Sequence, residues 1–326
     1  MKEEIIMENN KSLNTIEIFA EEVSKAILES IENVTTEAKE VEKFNESYYG
    51  LLVKPEDSNV GVTLNISDVY HSFTDGNATF DEICAHLVSQ TREAISRMPE
   101  FNLEGVDDYE NMRTKLVMEV VSAEANRELL ETVPHRLLED MAIIYRFDAS
   151  SIAGDGASIV LTNNLLEKFG VSAEQVHQDA VKFAHQNRPL EIKGMGEVLA
   201  AQMGVDDPSV LGFDYDPEDE KMFVASVAGN VHGAGILAYQ EFMDKAAERV
   251  GGSFYLLPSS IHEVLLIPDS GEFDLKALEQ MVREVNATTV DPKDKLTDSV
   301  YHYDAENKLF ELGIKFITRH AEENIA

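Results

Sequence analysis

The sequence predicts an α+β fold, with mostly antiparallel sheets built from hairpins and flanked by helices. Strand-like runs come as neighbouring pairs around turn residues, and helical periodicity occupies separate stretches. Hairpins outnumber strand–helix–strand crossovers, which a doubly wound α/β sheet would require.

Residues 12–46 carry Leu13, Ile16, Ala20, Val23, Ile27, Ile31 and Val34 at steps of three or four, which predicts one long helix. Tyr48–Lys54 and Val60–Ile66 read as a hairpin around a turn that opens at Pro55. Ser67 or Asp68 caps a short helix ending at Phe73. Asp75-Gly76-Asn77 breaks it, and Thr79 opens the next helix, which stops ahead of Pro99. The polar, acidic stretch 100–110 sets a boundary. Before it lies a helix-rich α+β module, 1–110, and after it a larger α+β module, 111–326.

In the second module, Lys115–Ser122 reads as a strand, and Asn126–Leu138 as a short helix or loop broken at Pro134. Met141–Phe147 and Ser158–Leu161 read as a hairpin. Thr162 or Asn163 caps a helix that Gly170 ends. Ser172 and Gln175 have the spacing of a capping box for another helix, which stops before Pro189. Residues 206–220 hold seven acids and no base, a solvated loop. Phe223–Val227 and Gly235–Ala238 read as strands joined by a glycine-rich turn. Tyr239–Val250 is a helix stopped by Gly251-Gly252. Ser253–Leu257 and Glu263–Ile267 form a further hairpin, Asp274 opens a helix, and Tyr301–Tyr303 with Lys308–Leu312 closes the pattern.

Composition bounds the function. Across 326 residues, 61 acids against 27 bases give a formal charge of −34. That field repels phosphate backbones and anionic lipid, and no basic patch stands out, so direct nucleic-acid or membrane binding is not expected. Cys84 is the single cysteine, which excludes an intramolecular disulfide and fits a reducing compartment. No apolar run reaches the length of a secretory signal or a membrane span, so a cytoplasmic protein is expected.

The chemistry-bearing residues concentrate in two loops. One holds Ser259, Ser260, His262 and Glu263, which supplies a hydroxyl, an imidazole and a carboxylate within one turn. The turn reading is the stronger of two, because serine hydroxyls cap free N–H groups in tight turns and no glycine-flanked nucleophile elbow surrounds them. The other loop holds Asn230 and His232 among Gly229, Gly233 and Gly235. Both loops sit at strand ends and can converge on one sheet edge. The glycines read as a hairpin turn, since a strand rather than a helix N-terminus follows them and no phosphate-binding lysine is present. The histidines lack zinc spacing, and the acidic run from Asp214 fails the calcium-loop pattern at its sixth and twelfth positions, so neither a metal nor a cofactor is expected.

Several segments together resemble a known family. They are Asn126-Arg127-Glu128-Leu129-Leu130, Val133-Pro134-His135, Leu161-Thr162-Asn163 and, most specifically, Pro258-Ser259-Ser260-Ile261-His262-Glu263. The chain resembles, from Tyr48 to Tyr303, an uncharacterised domain-of-unknown-function family of anaerobic Gram-positive bacteria. The resemblance implies a bacterial host and no particular activity. Since no specific catalytic signature stands out among the residues, the expected role is a non-enzymatic cytoplasmic binding or regulatory protein with a protein partner. One alternative is a hydrolase or small-ligand-binding enzyme with its site at the Ser259–His262 turn. Another is an acidic protein that mimics DNA.

Overall fold

A computed structural model describes residues 13–58, 60–98, 105–150, 157–205, 220–229, 231–258, 260–271 and 273–323. The fold is α+β with antiparallel sheets. The chain divides into two compact units, Met1–Glu100 and Phe101–Ala326. Among the described residues no helix is long and apolar enough to cross a membrane.

Among its described residues, the first unit packs three helices against a three-stranded sheet. Helix α1 (Ile16–Ser30) is capped by the Thr15 side chain and buries Phe19, Ala20, Val23 and Ile27, the face that the periodicity marks. It stops well short of the predicted long helix. Asn33 takes a positive φ of 56°, and Val34–Lys43 becomes β1, paired along its whole length with β2 (Glu46–Pro55). Two features decide against the helix. Val34, Thr35 and Thr36 favour extended backbone, and the alternating charges after them suit an exposed strand as well as an exposed helical turn. β3 (Val62–Asn65) pairs with β2 as the sequence suggests. Asn65, rather than Ser67 or Asp68, caps α2 (Ile66–Thr74). Thr79 and Glu82 cap α3 (Phe80–Ser96) reciprocally. Phe19 anchors the core, with the rings of Tyr70, Phe73 and Phe80 at 5.2, 5.2 and 5.5 Å.

The second unit is built on two antiparallel sheets. β4 (Leu116–Ser122), β5 (His135–Leu138), β6 (Met141–Asp148) and β7 (Ser158–Val160) make one, with β6 pairing all three others. The second has six strands in the order β13-β12-β10-β11-β9-β8. These are β8 (Leu190–Gly194), β9 (Phe223–Val227), β10 (Phe254–Pro258), β11 (Val264–Pro268), β12 (Tyr301–Asp304) and β13 (Leu309–Leu312). Between β3 and β8 run α4 (Tyr109–Met112), α5 (Arg127–Leu130), α6 (Asn163–Phe169) and α7 (Ala173–Asn187). Thr162 caps α6, and Gly170 ends it at a φ of 66°.

Both sheets feed one core, to which Met118, Tyr145 and Phe147 contribute from the first, Phe223, Phe254 and Tyr301 from the second. Tyr109 and Met112 lie in that same core. The outward face of the six-stranded sheet is covered by α10 (Leu275–Thr288) through Leu275, Leu278 and Val282. A carboxylate ties the sheets together. Asp140, in the β5–β6 turn, accepts hydroxyls from Thr297 at 3.0 Å, Ser299 at 2.7 Å and Tyr301. Those three acceptor bonds hold the segment that leads into β12.

Further sequence readings are corrected. The stretch read as a short helix or loop over Asn126–Leu138 is helical only at Arg127–Leu130, and past Pro134 it becomes strand β5, paired with β6. Gly235–Ala238 is not a strand. Residues Gly233–Ala238 form a 3₁₀ turn that packs against β4, so 223–238 is no hairpin and β9 pairs with β8 and β11 instead. The short apolar run Ile236-Leu237-Ala238 suits either structure, and burial decides between them. β8 and α8 (Met195–Gln202), and α11 (Gly313–Glu323), lie where no element is predicted. The acidic run from Asp206 to Asp219 and the predicted turn at 151–156 fall outside the described residues. Helix α9 (Gln240–Val250) and the β10–β11 hairpin form as predicted.

Gly235 sits so close to β4 that a Cβ would overlap the Met118 carbonyl oxygen. Gly235→Ala should therefore cost about 1–3 kcal/mol, read as a lower urea midpoint. A second expectation concerns His302, which is 1% exposed under a stacked Phe316 ring 3.5 Å away. Its Nε2 faces Asp269 at 3.0 Å, and its Nδ1 is buried without a hydrogen-bond partner among the described residues. Burial pushes its pKa below the ordinary imidazole value, against the pull of Asp269. The unfolded chain then protonates first as pH falls, so the stability this residue contributes is present above about pH 6.5 and drains below it. His302→Gln, which keeps a donor to Asp269, should lose less stability between about pH 7 and about pH 5 than the parent does.

Candidate functional site

β4 carries Glu119 in an otherwise apolar run, and β6 carries Arg146 in another. Register places them diagonally on one sheet face, since Val117 opposes Arg146 and Glu119 opposes Ile144. Glu119 is 3% exposed, and its Oε2 lies 3.4 Å from the Arg146 guanidinium, whose Nε donates to Ser158. Its Oε1 is buried with no hydrogen-bond partner among the described residues. The group facing it is His232, whose Nδ1 stands 3.5 Å away, too long for a hydrogen bond of normal strength.

His232 is delivered by the 3₁₀ turn. It adopts a positive φ of 53°, and Gly233 follows it with no room for a side chain, because a Cβ there would overlap Ser226 Oγ and the His262 carbonyl. A non-glycine residue in the left-handed region is strained, and such strain concentrates at functional sites. The 232 amide donates to His262 Nδ1 at 3.2 Å, and the two rings lie 5.6 Å apart. The β9 and β11 ends thus bring His232 and His262 side by side.

The turn after β10 is pinned at every backbone group of Ile261 and His262. The Ile261 amide donates to the Asp294 carbonyl, and its carbonyl accepts from the Ala234 amide. The His262 amide donates to Ser260 Oγ at 3.0 Å, and its carbonyl accepts from Ser226 Oγ at 2.7 Å. Ser260 is buried and its hydroxyl serves its own turn, not the imidazole. Because His262 Nδ1 faces an amide donor, its ring proton sits on Nε2, which points at Asp294 Oδ1 3.4 Å away. Nδ1 of His262 is therefore taken by the 232 amide while Nε2 faces a carboxylate, and its work is to position His232. Glu263 belongs elsewhere, lining an open cleft of about 300 Å³ with Ser226 and α8. Ser259 and Asn230 fall outside the described residues.

His232 differs from its neighbour. With Nδ1–H aimed at the Glu119 carboxylate, its Nε2 holds the lone pair, and about a third of the side chain is exposed. Burial lowers its pKa, and Arg146, Arg188 and His262 lower it further, while Glu119 alone raises it. A carboxylate behind an imidazole, with the far nitrogen free to take a proton, is the arrangement of a general base. No group of three or more histidine, cysteine or acidic side chains that could hold a metal exists among the described residues.

Glu119, Arg146, Ser226 and Asp294 escape a reading of loops, because three of them lie within strands or beside distant ones. One signal was available. A lone acid in Leu116–Ser122 and a lone base in Met141–Asp148 interrupt two runs that are otherwise buried, and buried charges come in pairs.

Fold and site define a two-unit α+β protein whose larger unit carries a histidine–carboxylate junction where two sheets meet. The chain belongs to a family of unknown function (DUF5688), whose model matches residues 16–305. No curated protein and no solved structure matches it.

Removing either serine cap should weaken the junction. Ser226→Ala and Ser260→Ala should each cost about 1–3 kcal/mol in urea unfolding, because each leaves a buried backbone group unpaired. Glu263→Gln should stay within about 0.5 kcal/mol.

Proposed function

We propose that the second unit binds a small polar ligand at the His232 junction and that His232 exchanges a proton with it. The observation that carries this reading is the buried Glu119 oxygen, aimed at His232 and without a hydrogen bond among the described residues. An unpaired buried carboxylate oxygen costs free energy that a purely structural site would have no reason to keep. Its use is to orient the ring and to stabilise the imidazolium once Nε2 takes a proton. The same logic favours this reading over a local serine triad, since the Ser260 hydroxyl already caps the turn.

Carbethoxylation mapped by mass spectrometry tests it, because the reagent attacks neutral imidazole. At about pH 6, His232, whose pKa burial holds below the ordinary imidazole value, should be modified ahead of the exposed His71 and His135. Glu119→Gln should slow modification of His232 and leave the other two unchanged. Modification of His232 no faster than that of His71 and His135 in the parent protein would rule out the reading.

A further inference from the structure

We propose that the ligand at this junction is an oxyanion, a carboxylate or a phosphate, held between Nε2 of His232 and the guanidinium of Arg188, and that His232 takes up a proton as it binds. The inference rests on the reading of His232 as the ligand-facing group.

Arg188 donates from Nη1 to the Val231 carbonyl at 3.2 Å, which sets its guanidinium against the peptide leading into His232. A guanidinium has five N–H donors, and this bond uses one. Among the described residues no carboxylate pairs with Arg188, although acids outnumber bases 61 to 27 in the chain. Arg146, by contrast, is occupied by Glu119 and Ser158. The cationic group left at the mouth of the site is thus Arg188, and carboxylates and phosphates are the planar or multidentate acceptors its fork fits.

The proton follows from the charges. His232 is partly buried beside two guanidinium groups, which favours the neutral ring. An arriving anion offsets the field of Arg188 and presents an acceptor to Nε2. The ring then gains one proton from solvent. Its Nε2–H donates to the anion, and its Nδ1–H, already aimed at Glu119 Oε1 from 3.5 Å, becomes a charged donor that draws that oxygen into a hydrogen bond. With a monoanion such as a carboxylate, one negative charge and one proton enter together, so the net charge of the site is unchanged. This balance lets an anion bind within a chain whose overall field opposes it.

Ring NMR of the full chain labelled at histidine, titrated with acetate and separately with inorganic phosphate, tests the proposal. Both anions should move the His232 ring signals to imidazolium positions at a pH where the free protein has a neutral ring. Methylammonium chloride at equal ionic strength should not. Acetate affinity should fall about tenfold per pH unit in that range, the linkage for one proton taken up. Arg188→Gln should weaken binding at least about tenfold, as loss of a charge-assisted bond does. Unchanged His232 signals at tens of millimolar of both anions, or undiminished binding by Arg188→Gln, would overturn the oxyanion. A failure confined to these titrations, with the Glu119-dependent reactivity of His232 intact, would remove the ligand class and leave the site.

Discussion

The second unit depends on two backbones running closer together than any residue but glycine allows. At Gly233 the 3₁₀ turn meets Ser226 and the His262 carbonyl, and at Gly235 it meets the Met118 carbonyl of β4. With hydrogen in place of a side chain, one short turn touches both sheets at once. The rest follows from that contact. The Ala234 amide reaches the Ile261 carbonyl, the His232 amide reaches the His262 ring, and the His232 side chain is carried over Glu119.

That geometry explains how a buried carboxylate is tolerated. Taking Glu119 from water costs several kcal/mol, and a guanidinium partner offsets much of it. Arg146 faces Oε2 alone, so the compensation is one-sided and Oε1 looks to His232. His262 does not share this duty, because its nitrogens are divided between the 232 amide and Asp294. Asp294 in turn lies at the end of a segment anchored by the hydroxyls gathered on Asp140. The site is thus fixed from three sides by hydrogen bonds between segments distant in sequence.

Most local structure could be read without coordinates. Thr79 and Thr162 start helices, Gly170 stops one, and the β2–β3, β6–β7, β10–β11 and β12–β13 pairs have the turn residues of hairpins. The failures have a common cause. Val34–Lys43 and Gly233–Ala238 each satisfy two secondary structures, and each is decided by its neighbour: β2 along the first, β4 against the second. Of the site, the two loops with His232 and His262 stood out through glycine and serine turn chemistry. Glu119 and Arg146 show in the sequence only as lone charges within apolar runs, and Arg188 not at all, because a single charged residue has no sequence-local pattern to mark its partner.

By itself the sequence determined the α+β class, the hairpins, most caps and the two loops that bear histidine, since each is a short-range consequence of periodicity and turn chemistry. Only the tertiary structure decided which histidine faces a buried carboxylate and which merely holds the turn. That choice depends on strand register between β4 and β6 and on a close approach at two glycines, and both are contacts between residues far apart along the chain.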